Sequence, residues 1–283
     1  ENTEIYAMLT LRKTEELASE KQNVLLDLSR VQGVSSYILL MYLFKNKNEL
    51  YFNDELCIKI VKMLISFFVR RNITDMPPTR DIDRIFMSFI EEIMSEKLRG
   101  NDIYNALRER IINVSASDES FRSKLEGPVY EDNSDACRFI LCSLAQKHMN
   151  KENYIDLWQK SEKKNADSKQ YYVWTIEHIF PQGKNIPESW VEMIAKGDVE
   201  LAKELQARHV HQLGNLTITA YNSNLGNMSF KDKRDRMKDG NYIGYKNGLS
   251  LNDWLKDKEK WEAQDIKDRT DYLIAEIIKL FPL

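Results

Sequence analysis

Over residues 1–160 apolar side chains return every three to four positions, while the two-residue alternation of a strand is nearly missing. That spacing paints one stripe along a helix, so this part of the chain reads as helix after helix packed stripe to stripe. Residues 4–28 place Ile5, Met8, Leu9, Leu11, Leu17, Val24, Leu25 and Leu28 near a 3.6-residue period. Residues 34–44 read as an apolar helix opened by a serine pair. Asn53 and Asp54 offer an N-cap to a helix over 57–71, with Ile58, Val61, Leu64, Ile65 and Phe68 on one face. Pro77 and Pro78 break the chain, and Thr79 caps a further helix running to Glu96. Helices over 102–112, 119–125 and 134–149 complete an all-α bundle.

The pattern then changes. Residues 158–170 are polar and weakly periodic, the mark of a linker or surface loop. Residues 171–179 (YYVWTIEHI) are short and rich in β-branched and aromatic residues, which favours a strand, as does the stretch 213–220 (LGNLTITA). Between them, 188–209 reads as helix behind Pro187. Helices are also expected over 229–237 and within 252–282. The fold expected is mostly α: a helical accessory domain over 1–160, then a small α+β domain over 171–283.

Several classes are excluded. No apolar run approaches the ~18–20 residues that span a bilayer, and Glu1-Asn2-Thr3-Glu4 has neither the basic start nor the apolar run of a signal peptide. The absence of an initiator Met is expected of a fragment or a processed chain. Cys57, Cys137 and Cys142 lack zinc-type spacing and read as buried reduced thiols of a cytoplasmic protein. The formal net charge is −3, so any affinity for nucleic acid must come from a local site and not from bulk charge.

Three segments carry candidate chemistry. Glu177-His178-Ile179-Phe180-Pro181 sets a carboxylate beside an imidazole where a strand meets a turn. There the histidine can take a proton from water while the carboxylate holds a cation. His211-Gln212-Leu213-Gly214-Asn215-Leu216-Thr217 puts a loop histidine and an asparagine around a glycine before a strand. Residues 221–233 (YNSNLGNMSFKDK) gather Asn222, Asn224 and Asn227 ahead of a basic helix. Amide oxygens are turn formers by default, but they are also hard ligands suited to Mg²⁺.

Together these segments resemble the C-terminal HNH (His-Me finger, ββα-metal) nuclease domain of GmrSD-type restriction and phage-defence proteins, which cut DNA carrying modified bases. The ending, with Asp265-Ile266-Lys267-Asp268-Arg269-Thr270, is similar to that family's terminal helix. The resemblance covers about 171–283, and residues 1–160 resemble the helical region that precedes the nuclease there. It implies a DNA endonuclease using Mg²⁺ or Mn²⁺, with His178 as general base, Glu177 as metal ligand and Asn215 as the brace of the His178 loop. His211 would bind the scissile phosphate or orient the loop. Asn222 fits the GmrSD-like pattern of the second metal ligand, and Asn224 fits the general HNH spacing, with Asn227 a further alternative. Lys233 and Arg234 would meet backbone phosphates, and Lys231 reads as a solvated helix face. Residues 182–210 form an insertion able to cover the groove. The family's nucleotide-binding domain would lie N-terminal to this chain, which itself contains no Walker sequence. The readings kept beside this one are a degenerate module that only binds nucleic acid or a partner, and an HNH-like RNase.

Overall fold

The computed structural model describes residues 2–10, 20–164 and 170–283. The chain divides into two units, 1–121 with 278–283 and 122–277. The divide falls earlier than the 160–171 expected from the change of pattern, since the last helix before that point packs against a strand of the second unit.

The first unit is helical. It holds α1 (Asn2–Thr10), α2 (Glu20–Arg30), α3 (Tyr37–Lys45), α4 (Asp54–Thr74), α5 (Thr79–Ser95) and α6 (Asn101–Val114). Within the helix expected over 4–28 the described residues form α1 and α2, and Leu11 and Leu17 lie outside the described residues. Asn53 caps α4 as its sequence suggests, its side chain accepting from Leu56 N at 2.9 Å. α4 carries Leu64, Phe67 and Phe68 into a core shared with Phe86 and Phe89 of α5 and Leu107 of α6, all essentially buried. α7 (Asp118–Leu125) crosses the boundary between the units.

The second unit begins with the short α8 (Val129–Asp132) and α9 (Ser134–Gln146). β1 (Lys160–Lys164) pairs antiparallel with β2 (Gln170–Tyr172), so the expected linker contributes a strand. The expected strand over 171–179 is interrupted at Val173 and Trp174, and its second half is β3 (Thr175–His178). α10 (Glu188–Ala195) and α11 (Val199–His209) replace one expected helix. The break is local chemistry: Lys196 and Gly197 turn left-handed at φ 52° and 89°, and Asp198 re-caps the chain by accepting from Leu201 N.

A 3-10 turn over Leu213–Asn215 leads into β4 (Leu216–Thr219), which pairs antiparallel with β3 so that His178 faces Leu216 and Thr175 faces Thr219. Then follow α12 (Asn222–Leu225), α13 (Phe230–Asp235), the short ribbon β5 (Met237–Lys238) and β6 (Asn241–Tyr242), and α14 (Ala263–Leu280). α9 packs against β4 and α12 against β3. The mostly helical fold with small antiparallel sheets agrees with the sequence reading.

Two features steady the β3–β4 pair. One is a core of Ile179, Phe180, Trp190, Phe230, Tyr245 and Trp261. The other is α14. Arg269 is fully buried, and its guanidinium donates to Gly214 O at 2.6 Å, Leu216 O at 2.8 Å and Leu251 O at 2.9 Å. Thr270 Oγ1 accepts from Gly214 N at 3.0 Å while donating to Ile266 O. The helix thus comes so close that a Cβ on Gly214 would lie 1.9 Å from Ile266 O. Gly214→Ala must push α14 off the turn, with an expected loss of about 3 kcal/mol in urea unfolding. A loss below roughly 0.5 kcal/mol would mean that α14 can retreat freely.

Candidate active site

His178 ends β3 and is 5% exposed. Its Nε2 lies 3.2 Å from Nδ1 of His211, which reaches it from the turn before β4. The pairing of His178 with Leu216 explains how residues 33 apart in sequence meet: the loop before β4 returns beside the end of β3. Tyr130 of α8 closes the third side, its ring edge-on to His178 at 4.7 Å and stacked on His211 at 5.4 Å. Burial pushes the His178 imidazole down to about 3, with the neighbouring His211 and the Lys233 charge acting in the same direction. His178 is therefore held neutral.

The loop behind His178 is clamped from three directions. Asn215, fully buried, accepts from Phe180 N at 2.8 Å and donates to Phe180 O at 2.9 Å and Val210 O at 3.0 Å. Gln206 of α11 donates to Pro181 O at 2.7 Å and Gly183 O at 3.1 Å. Lys233 of α13 donates to His178 O at 2.7 Å and Ile179 O at 3.1 Å.

Lys233 also settles where Glu177 points. Consecutive strand residues leave opposite faces, so the Glu177 carboxylate lies across β3 from the His178 imidazole. There its Oε1 meets Lys233 Nζ at 2.7 Å, with Glu177 3% and Lys233 0% exposed. Burial pushes the carboxyl up and the ammonium down, while the opposite charge pulls each back toward its ionised form. The ammonium has three protons and three acceptors, leaving none for a phosphate. Arg234 is likewise turned inward, bonding both oxygens of Asp235, Lys258 O and Glu259. The expectation that Lys233 and Arg234 face backbone phosphates is therefore corrected. A charged residue in a basic run looks solvated in sequence, yet these two have a buried carboxylate, backbone carbonyls and surface acids to pair with.

Which groups can hold a cation follows from their donor atoms. Among the described residues no three His, Cys, Asp or Glu side chains converge on a metal-sized gap. Asn222 spends its Nδ2 on Ile176 O at 2.7 Å and Thr175 Oγ1 at 3.3 Å, which leaves Oδ1 as its acceptor end. Thr175 and Glu177 share a face of β3, so the Asn222 amide and the Glu177 carboxylate lie along the same side. A carboxylate oxygen and an amide oxygen suit a hard cation that keeps most of its water, as Mg²⁺ does. Lys233 already balances the Glu177 charge, so such a cation would be held loosely. Asn224 is half-buried on α12, and the exposed Asn227 lies beside Gly183 in the loop beyond His178.

Tyr130, Gln206 and Arg269 were not visible as site residues in sequence. Each acts through one ring face or a few donors, and no local spacing announces such a contact.

A buried, neutral His178 in contact with a second imidazole, on a backbone this firmly fixed, defines a site for acid–base chemistry. The C-terminal domain of GmrSD restriction endonucleases matches residues 115–276, more than half of the chain, and the chain belongs to that family. Its role is thus of restriction-endonuclease type, with DNA as the substrate that the family implies. No curated protein and no solved structure matches the chain.

Two outcomes test this geometry. Lys233→Met leaves the Glu177 carboxylate buried alone and is expected to cost about 3–5 kcal/mol in urea unfolding. Adding Glu177→Gln should recover at least half of that, whereas a single-variant loss below about 1 kcal/mol would return Lys233 to the surface. For His178, the folded value of about 3 lies below the unfolded 6.5. The unfolded chain therefore takes up a proton that the folded site refuses. Stability from this group is full above pH 6.5 and falls as pH drops toward 3, by up to about 1.4 kcal/mol per pH unit. His178→Phe should flatten that part of the profile, and an unchanged slope would show that His178 is solvated.

Proposed function

We propose that the second unit is a divalent-metal-dependent DNA endonuclease site of the HNH class, in which His178 is the general base that deprotonates the attacking water. The observation that carries the proposal is the His178–His211 pair at the end of β3, on a loop braced by Asn215. Order and residue type along Glu177-His178, Asn215 and Asn222 support the HNH reading. The neutral state of His178 supports its use as a base.

His178 Nε2 faces His211, so Nδ1 is the nitrogen left for a water. We assign the hydrogen to Nε2, donated to His211 Nδ1, which makes Nδ1 the lone pair that receives the proton. His211 then orients the base, and of its two expected roles this is the one the 3.2 Å contact favours. Asn215, Gln206 and Lys233 keep the backbone of the base from drifting when its charge changes. Mg²⁺ or Mn²⁺ would supply positive charge to the phosphate as negative charge builds there, but Glu177, across β3 from the imidazole and paired with Lys233, is not the ligand that would bring it beside His178.

The family's setting extends the reading to restriction or phage defence against DNA carrying modified bases, with a nucleotide-binding domain supplied N-terminal to this chain. Plasmid nicking with Mg²⁺ or Mn²⁺ tests the core of it. His178→Ala is expected to lower the rate by about 10²- to 10⁴-fold, with DNA retention in a gel shift unchanged. Equal cutting by the two proteins, or none by the wild type on plain and base-modified plasmid alike, would defeat the proposal.

A further inference from the structure

The reaction as proposed makes no use of Tyr130, although no other ring contacts both imidazoles among the described residues. Tyr130 is half-buried on α8, just behind Pro128. Its plane lies 20° from that of His211 with centroids 5.4 Å apart, so the two rings stack. The same ring meets His178 at 87° and 4.7 Å, an edge contact. The imidazoles stand 5.2 Å apart at 79°. Three rings therefore touch pairwise.

The segment bearing Tyr130 is tied to the segment bearing His211 at two further points. Tyr130 N donates to His211 O at 3.3 Å, and Gln212 Nε2 donates to Glu126 O at 2.8 Å. Val129, buried beside Tyr130, anchors the short helix. This arrangement matters because a nitrogen–nitrogen hydrogen bond weakens steeply with misalignment, while the outer torsion of histidine is broad and sets little by itself. A half-buried His211 without a wall can rotate its Nδ1 off His178.

We propose that Tyr130 is a positioning residue for the active site: its ring face and edge hold His211 and His178 in the mutual pose that keeps Nδ1 and Nε2 within hydrogen-bonding reach. The proposal rests on the reading of His178 as the base. The role belongs to the ring, since no hydrogen bond joins the Tyr130 hydroxyl to either imidazole among the described residues. Aromatic pairs of this geometry attract each other beyond the area they bury, which selects one rotamer over its neighbours. Because Tyr130 reaches the base only through ring contacts, its loss should act on turnover and leave the grip on DNA unchanged.

Tyr130→Phe and Tyr130→Leu in the full chain separate the possibilities, read by histidine-labelled NMR and by nicking kinetics. With Phe, the ring-current shifts of the His178 and His211 ring protons and kcat stay at wild-type values. With Leu, the upfield shift of the His211 protons disappears, and kcat falls by about 10- to 100-fold while KM for DNA holds. Leu retaining wild-type kcat overturns the proposal. So does Phe failing as Leu does, which would assign the role to the hydroxyl, or a rise in KM at constant kcat, which would place Tyr130 on the DNA. If Leu unfolds, Phe decides alone: wild-type shifts and kcat support the ring, and their loss overturns it. A wild type that does not cut defeats the nuclease reading, while the nitrogen NMR shifts of His178 Nε2 and His211 Nδ1, which report their hydrogen bond, still decide on Tyr130: unchanged values in the Leu variant overturn its positioning role.

Discussion

Everything at this site hangs on the capture of a short run of backbone carbonyls by side chains from elsewhere. After β3 ends, the sheet no longer supplies partners, yet the chain stays buried, and buried backbone groups left unpaired are costly. The carbonyls of residues 178, 179, 180 and 181 are each taken by a side-chain donor: two by Lys233, one by Asn215 and one by Gln206. The amide groups of Ile179 and Phe180 are met by Asn215, the first by its main chain and the second by its side chain. Donors from three separate segments thus converge on the stretch that begins at His178. With that many donors on so short a stretch, the loss of one leaves the others holding it, and the position of the His178 imidazole is over-determined.

That arrangement explains what the sequence disclosed and what it withheld. Asn215 was legible because its place beside a glycine, ahead of a strand and distant from His178, is a pattern of order and spacing. Gly214 was quoted in the same motif, and the structure adds the reason no side chain fits there: the backbone of α14 lies against it. The helical character of the first unit was legible for a similar reason, since a 3.6-residue stripe is a property of neighbouring residues. The breaks were not. Lys196 and Gly197 turn left-handed within a stretch whose apolar rhythm continues across them, so the rhythm predicted one helix where there are two.

The charge of Lys233 and Arg234 misled for a deeper reason. A basic residue is almost always solvated unless something pays for its burial, and what surrounds it lies far away in the chain. Glu177, 56 residues earlier, could be recognised as a carboxylate but not as the partner of this particular ammonium. The same fact splits the pair that looked most cohesive in sequence. Glu177 and His178 are adjacent, yet alternation along β3 sends one to the lysine and the other to the imidazole and tyrosine.

A division of labour follows. Behind β3 the charges are buried and matched, and they fix the backbone. In front stand three rings in mutual contact. Burial keeps His178 neutral at any pH above about 3, so the imidazole is always in the form that accepts a proton, at the expense of its affinity for one. A base this weak matches only a water whose own acidity has been raised by nearby positive charge. On the proposed reading, the dry surroundings of the imidazole and the demand for a divalent cation are therefore one electrostatic requirement. Hydration of His178 would relieve that requirement, but it would also let the base fill with protons before any substrate arrives.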